Sequence, residues 1–344
     1  MKQLALMMAI AAAGILTIRA AGDSGKAPPC GVTLSVIEER AEPVIKQGDP
    51  GTEGNRGGME GGRVMKLDGV YHLFTAELVA GGWIKMKLGH WTSPDGVKWT
   101  RRDTMYESSG EETGKDPRAS FWSPMPVYDE DEKLWNFFYV AYRAPVGPLS
   151  WNGRVWRAVS EVPGPEGIGG PWKDVGVVLE LGEASDPWEG SQGTDSFFPY
   201  RVGEKWVGFY GSSNGADWWK VGLAGADTLA GPWRRLTALN PVTLGYEHGK
   251  AENPVVTHLK SGRYVAVFEV IETGYGYADS RDGLHWSEAK VLPLPVSAGK
   301  LDVLRTPLGL IAEPDGTFTT FHTGFPKGRG FNTLWKVRIR IDES

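Results

Sequence analysis

The sequence of 344 residues has a single cysteine, Cys30, so an intrachain disulfide is excluded and stability must come from the buried core. It has no basic cluster, and 37 Lys and Arg stand against 42 Asp and Glu. Because phosphate binding needs clustered Lys and Arg, this balance argues against a nucleic-acid partner. Long amphipathic helices are also scarce, since few stretches repeat apolar residues at helical spacing.

Glycine and aromatic residues are abundant instead, with 47 Gly, 15 Trp, 12 Phe and 11 Tyr. Short runs of β-branched and aromatic residues alternate with turns that contain Gly, Asp and Pro. This alternation is typical of strands joined by tight turns. The sequence therefore predicts an all-β protein.

The N-terminal segment 1–21 has the layout of a secretory signal peptide, with a lysine before an apolar run and small residues at Ala20 and Ala21. The alternative is a membrane anchor, but Arg19 interrupts the run before it reaches the ~20 apolar residues that span a bilayer. We therefore predict an exported bacterial protein, secreted or periplasmic. Residues 22–344 would form one domain, with no membrane span after signal removal.

A loose repeat runs through that domain. Each copy has a first strand, a tight turn, an aromatic strand, a third strand and a further turn that often ends in tryptophan. The copies begin at "MEGGRVMKLDG", "WSPMPVYDEDE", "TDSFFPYRVGE", "AENPVVTHLKSG" and "RTPLGLIAEPDG". Trp99, Trp172, Trp233 and Trp286 occupy the same place in four copies and are expected to pack between neighbouring units.

Five copies of a mostly four-stranded antiparallel unit predict a five-bladed β-propeller. The innermost strands would face a central channel, and their first residues would converge at one mouth. The segment Cys30–Glu39 precedes the first copy and could supply the strand that completes the last blade.

The residues at matching positions of the five first strands are the candidate site. They are Glu60, Ser123, Asp195, Glu252 and, in the fifth copy, Arg305 or Thr306. Acids that meet at a channel mouth repel one another, so at least one should have a raised pKa. A protonated carboxyl beside an ionised one is what glycosidic bond cleavage requires. The alternative is that these acids are solvated turn residues.

The segments that carry Glu60, Asp195 and Glu252 resemble the five-bladed glycoside hydrolases of families 43, 32, 68, 62, 117 and 130, and family 43 most of all. The resemblance spans roughly residues 60–341. It implies a general base in blade one, an orienting acid in blade three and a general acid in blade four, which fall on Glu60, Asp195 and Glu252. Glu60 departs from the family, which has Asp there, and the longer side chain shifts the carboxylate by about a bond length.

The predicted function is an exo-acting glycosidase that removes terminal sugars from a plant or algal oligosaccharide or polysaccharide. Acids on different blades favour the wide carboxyl spacing of an inverting enzyme, so inversion is the predicted mechanism. The substrate would also contact residues predicted from the aromatic and polar positions nearby: Trp122, Ser123, Phe197, His248 and Arg305. No cofactor is required, although the resemblance allows a structural calcium ion near His322 in the central channel. The alternative is a non-catalytic, lectin-like propeller. The sugar and the oligomeric state stay open.

Overall fold

Five four-stranded antiparallel sheets form the blades of a β-propeller, as the sequence predicted. The structure is a computed structural model, and it describes residues 27–79, 84–143, 152–213, 219–242, 250–270, 274–328 and 330–344. The predicted signal segment 1–21 lies outside these ranges. Within them, no helix is both long enough and apolar enough to cross a bilayer.

The strands follow the chain in order within each blade. Blade one contains β2 (Gly58–Leu67), β3 (Val70–Leu78), β4 (Met86–Ser93) and β5 (Thr100–Glu107). Blade two contains β6 (Ser120–Asp129), β7 (Leu134–Tyr142), β8 (Arg154–Ser160) and β9 (Trp172–Leu179). Blade three contains β10 (Asp195–Val202), β11 (Lys205–Ser212), β12 (Lys220–Ala226) and β13 (Arg234–Arg235).

Blade four contains β14 (Glu252–His258), β15 (Tyr264–Glu269), β16 (Gly274–Ser280) and β17 (Lys290–Pro293). Blade five contains β18 (Leu301–Ala312), β19 (Phe318–Pro326) and β20 (Thr333–Glu343), together with β1 (Val32–Glu39). A 3-10 helix, Pro165–Gly169, and one short helix, α1 (Pro295–Ala298), lie in connections between strands.

The ring closes through the N-terminal strand. β1 pairs with β20 in antiparallel register, with Val32 opposite Glu343 and Leu34 opposite Ile341. The prediction that Cys30–Glu39 supplies the closing strand is therefore confirmed. The first strands also contact one another around the ring, β2 with β6, β6 with β10, β10 with β14, β14 with β18, and β18 with β2. Residues at the starts of these strands are thereby brought to one place.

The repeated tryptophans pack each blade against the blade before it. The contacts are Trp99 with Phe321, Trp172 with Met105, Trp233 with Phe138 and Trp286 with Phe209. Their predicted position between blades is confirmed. These contacts, three of them between aromatic rings, add to the apolar area buried between the sheets, which makes the ring a rigid frame for a central site.

The two similar turns, "SPDG" and "SRDG", have the same hydrogen bonds. In each, the carboxylate of Asp95 or Asp282 accepts bonds from the backbone N–H groups two and three residues later, at 2.8–2.9 Å. An aspartate in this position stabilises a tight turn by replacing a backbone acceptor. The repeated phrase is therefore a structural turn between the third and fourth strands of a blade.

Candidate active site

A cavity of about 580 Å³ opens where the first strands begin. Glu60, Asp195 and Glu252 all line it, although they belong to blades one, three and four. Arg305 of blade five lines the same cavity. A volume of this size is ordinary for a site that holds one or two sugar rings. The rotational repeat thus gathers side chains that are distant in sequence into a single pocket.

A bulge at the start of each first strand directs these side chains. Pairing with the second strand is irregular directly after Glu60, Trp122, Asp195 and Glu252. The next residue of each strand has a positive φ: 62° at Gly61, 49° at Ser123, 54° at Ser196 and 54° at Asn253. Bulges of this kind re-aim side chains next to active sites. In blade five, the corresponding irregularity lies between Leu304 and Pro307, around Arg305.

This register corrects the sequence alignment by one residue in blade two. Trp122, rather than Ser123, occupies the position that matches the three acids, and Ser123 matches the bulge residues that follow them. Both residues line the cavity. The sequence could not fix this offset because strand register depends on the bulge, which has no clear sequence mark when Ser or Asn takes the place of Gly.

Glu60 is held on both carboxylate oxygens. The Thr306 hydroxyl donates to Oε1 at 2.6 Å, and the Asn332 side-chain amide donates to Oε2 at 2.5 Å. The Arg305 guanidinium lies 3.3 Å from Oε1. The side chain is almost completely buried, with 2% of its surface exposed. Three donors around a buried carboxylate fix its position and complement its negative charge.

Asp195 has the environment of a carboxyl that retains its proton. Burial, and secondly the charge of Glu252, raise its pKa from 3.8 to about 7. Hydrogen bonds from Tyr142 and from the Ser196 backbone N–H, the latter at 2.6 Å, oppose this rise. Asp195 therefore changes its protonation state near neutral pH, where an acid catalyst would be expected to operate.

Glu252 is close to a cation that the sequence analysis did not single out. The Lys250 ammonium lies 2.7 Å from Glu252 Oε2 and 2.5 Å from Glu269 Oε1. Burial alone would lower the pKa of Lys250, but Glu252 and Glu269 together raise it. Lys250 therefore stays charged and links the two carboxylates.

Glu269 is a fourth buried acid at the site. It lies opposite Glu252 in the β14–β15 ladder, and only 2% of its surface is exposed. Burial raises its pKa, while Arg305, which donates to it at 2.8 Å, opposes the rise. Asn253 donates to its other oxygen at 3.2 Å. Glu252 and Glu269 thus share one lysine, and Glu60 and Glu269 share one arginine.

Aromatic rings form part of the cavity wall. Trp122, Trp219 and Phe325 line the cavity and are half-buried. The Trp122 indole N–H donates to Ser120 at 2.8 Å, which fixes the ring plane. Rings exposed in this way can stack on the C–H face of a sugar.

Phe197 does not belong to that wall. Its ring has 1% of its surface exposed, and it packs against Phe138 and Trp233 in the core between blades two and three. The prediction that it contacts substrate was wrong, because it lies two residues beyond Asp195, past the bulge, where the strand turns its side chain into the core. His248 lies outside the described residues.

His322 is buried on β19, away from the cavity lining. Its ring stacks on Trp335 and meets Tyr275 of blade four edge-on, and its Nδ1 lies 3.0 Å from the Thr323 carbonyl oxygen. Burial lowers its pKa from 6.5 to about 4, so the ring is neutral. Within the described ranges, no group of three or more His, Cys, Asp or Glu side chains could hold a metal ion. Glu39 is a carboxylate whose charge acts on His322, but it already accepts hydrogen bonds from the Ser297 N–H and hydroxyl, so the calcium ion near His322 stays a prediction.

Comparisons with known proteins show which solved structures have a similar fold. No protein-family profile matches the sequence, and neither does any curated protein. Among solved structures, the chain is similar to a family 117 glycoside hydrolase of the marine bacterium Zobellia galactanivorans, with 16% identity, a TM-score of 0.61 and 90% of each chain covered. It is also similar to a thermostable family 43 glycoside hydrolase, with 15% identity and a TM-score of 0.54, over 83% of this chain and 89% of that chain.

A third similar structure is an exo-β-1,3-galactanase from Phanerochaete chrysosporium solved with β-1,3-galactotriose. The identity is 11% and the TM-score 0.60, over 89% of this chain and 64% of the other. These likenesses confirm the resemblance at the level of the fold: the chain has the five-bladed propeller of these glycoside hydrolases. Because a fold can carry unrelated functions, the activity has to be argued from the cavity itself.

Proposed function

We propose that the protein is an exo-acting glycoside hydrolase that removes a terminal sugar, with inversion, from a plant or algal oligosaccharide or polysaccharide. The observation that carries this proposal is the meeting of Glu60, Asp195 and Glu252, from three blades, in one sugar-sized cavity. The similar folds of glycoside hydrolases, among them an exo-acting enzyme, support it.

In the proposed reaction, Glu60 is the general base. It removes a proton from a water molecule that attacks the anomeric carbon, and its three donors keep it in place before and after proton transfer. The bond to the leaving oxygen breaks as that oxygen receives a proton from the opposite side. Blade five separates the blades of Glu60 and Glu252, which favours the wide carboxyl spacing, about 6.5–9.5 Å, that inversion needs.

The proton for the leaving oxygen comes from the Asp195–Glu252 pair. The sequence resemblance assigns the acid to Glu252, with Asp195 as the residue that orients it. Lys250 pairs with Glu252, whereas Asp195 titrates near pH 7, so the proton of the resting pair resides on Asp195. The two residues act as one acid that is reloaded between turnovers.

A panel of aryl glycosides and plant and algal oligosaccharides, with the product anomer read by NMR, tests the proposal. Glu60→Gln, Asp195→Asn and Glu252→Gln should each reduce kcat by orders of magnitude without unfolding the protein. Glu313→Gln is the matched control, because Glu313 also pairs with a lysine at 2.7 Å but does not line the cavity. Normal turnover in any of the three cavity variants would refute the assignment.

A lectin-like role is the second candidate. Lys250 and Arg305 already compensate much of the acid charge, as they would in a pocket built to bind a sugar without cleaving it. Saturable binding of an oligosaccharide with no hydrolysis between pH 4 and pH 9 would favour this role over catalysis.

A further inference from the structure

A second cavity lies beside the first. Its volume is about 420 Å³, and Gly330 lines both cavities. Phe325 and Pro326, neighbours at the end of β19, face different cavities: Phe325 lines the first and Pro326 the second. The two cavities are therefore separated by little more than one strand, and an oligosaccharide could reach both.

Three lysines from separate segments rim this second cavity. Lys46 lies between β1 and β2, Lys300 follows α1, and Lys327 follows β19. Lys300 pairs with Glu42 at 2.7 Å. Among the described residues, no acid lies within salt-bridge distance of Lys46 or Lys327, although the charge of Lys46 acts on Glu42, which also lines the cavity. Both lysines are exposed. In a chain with a formal net charge of −5, this is a local excess of positive charge.

The inner surface of the second cavity differs from its rim. Phe331, Thr333 and Trp335 lie beneath the lysines and are buried, and the Trp335 indole N–H donates to the Thr333 hydroxyl at 2.8 Å. Because this hydrogen bond and the surrounding core hold the floor rigid, the shape of the cavity persists without a ligand. A buried apolar floor below exposed cations suits a ring that carries a negative group on its outer edge.

The first cavity is acidic, in contrast to the lysine-rimmed second cavity. Glu60, Asp195, Glu252 and Arg305 line it. The buried Lys250 and Glu269 adjoin Glu252, so acids outnumber cations among these residues. A sugar with a sulfate or carboxylate group would be repelled there. A neutral terminal sugar can occupy the first cavity while a negative group on the adjoining part of the chain lies among the lysines.

We propose that the second cavity is a substrate subsite for an anionic substituent, a sulfate ester or a uronic carboxylate, carried by the saccharide beyond the sugar that is cleaved. This inference rests on the proposed function for its catalytic consequence, but binding at the subsite can be measured without any hydrolysis. Lys46 and Lys327 are the residues that recognise the anion, and Lys300 is held in place by Glu42.

The test compares two double variants that lose the same charge. Lys46→Gln with Lys327→Gln removes the unpaired lysines of the second cavity. Lys98→Gln with Lys260→Gln removes two exposed lysines that line neither cavity, and so it controls for the long-range effect of net charge. The probes are galactan oligosaccharides with and without sulfate esters, and oligogalacturonides, measured by calorimetry at low and high salt.

We expect the wild type and the control variant to bind a charged probe about tenfold more tightly than the neutral probe at low salt, with the preference reduced at high salt. The Lys46/Lys327 variant should lose that preference. If the charged substrate is also cleaved, its KM should rise by about tenfold in this variant with kcat unchanged, and turnover of a neutral aryl glycoside should not change.

Preference for the sulfated or the uronate probe identifies the anion. The proposal would be overturned if the wild type, the Lys46/Lys327 variant and the Lys98/Lys260 control bound the charged probes with equal affinity. It would also be overturned if no charged probe bound to the wild type. The failure of the proposed function looks different: the charged probes would still bind through Lys46 and Lys327, but no substrate would be cleaved.

Discussion

Removal of Lys250 should shift the pH range in which the protein cleaves its substrate. Lys250 lies 2.7 Å from Glu252, and Glu252 in turn is one of the causes that raise the pKa of Asp195. In Lys250→Met, the Asp195–Glu252 pair loses its nearest cation. The pair should then release its last proton at a higher pH, and the alkaline limb of the kcat profile should move upward.

The size of the shift follows from the contact. Opposite unit charges 4 Å apart attract by about 4 kcal/mol at an effective dielectric constant near 20, and each 1.36 kcal/mol corresponds to about one pKa unit. Desolvation and the remaining Arg305 offset part of this, so a change of about 1–2 units is expected. Because Asp195 titrates at about 7, the limb should move from near pH 7 to about pH 8–9.

The assay is the pH dependence of kcat on a substrate found in the glycoside panel. Lys66→Met is the matched control, since Lys66 also lies 2.7 Å from a glutamate, Glu313, but far from the cavity. Its profile should coincide with that of the wild type. If Lys250→Met turns over substrate with its alkaline limb in the wild-type position, the coupling between Lys250 and the acid pair is refuted.

Three further predictions concern stability. Gly58→Ala should destabilise the fold by about 1 kcal/mol more than Gly48→Ala does, and it should reduce kcat. Both glycines have φ near 90°, but a Cβ at Gly58 would lie 2.1 Å from the Asn332 backbone nitrogen, whereas Gly48 faces open space. Equal melting temperatures of the two variants would refute this. Since burial raises the pKa of Asp195 from 3.8 to about 7, its contribution to stability is complete below pH 4 and is lost as pH rises through 7. At pH 8, the free energy of unfolding of Asp195→Asn should therefore exceed that of the wild type by up to about 4 kcal/mol, seen as a higher melting temperature. At pH 4 this difference should vanish. His322 has the opposite sign: its pKa is lowered from 6.5 to about 4, so stability is lost as pH falls through that range, and His322→Gln should flatten this loss of about 3 kcal/mol in thermal melts.

The fold could be predicted because the sequence repeats itself. Each blade has a turn at a fixed place and an aromatic strand after it, and tryptophans such as Trp233 and Trp286 return at the same position. A rotational repeat converts matching positions in sequence into neighbouring positions in space. Once the blades were aligned, Glu60, Asp195 and Glu252 were bound to meet, and they line one cavity.

The details of the cavity depend on contacts that no repeat encodes. Lys250 precedes the first strand of blade four, and Glu269 ends the second, so neither stands at a position compared between blades. Their proximity to Glu252 follows from the β14–β15 ladder, in which Glu252 pairs with Glu269. The sequence did offer one signal for Glu269: it is an acid at the end of the apolar run of a second strand, where it pairs with the first-strand acid Glu252.

Phe197 shows the reverse limit of the sequence argument. Proximity to Asp195 along the chain suggested that it contacts substrate, but the bulge between Asp195 and Phe198 changes which residues face the cavity. An aromatic residue next to a catalytic position can equally fill the core between blades, and only the backbone geometry decides between the two.

The pairing of β1 with β20 also determines when the cavity can exist during folding. Thr306, Arg305 and Asn332, which hold Glu60, all belong to blade five, and that blade is completed by a strand from the opposite end of the chain. A nascent chain with four blades in place would carry Glu60 without any of these partners. The ring and its acidic centre must therefore mature in the same event, and an intermediate that has not yet joined its two ends would have no organised centre with which to act.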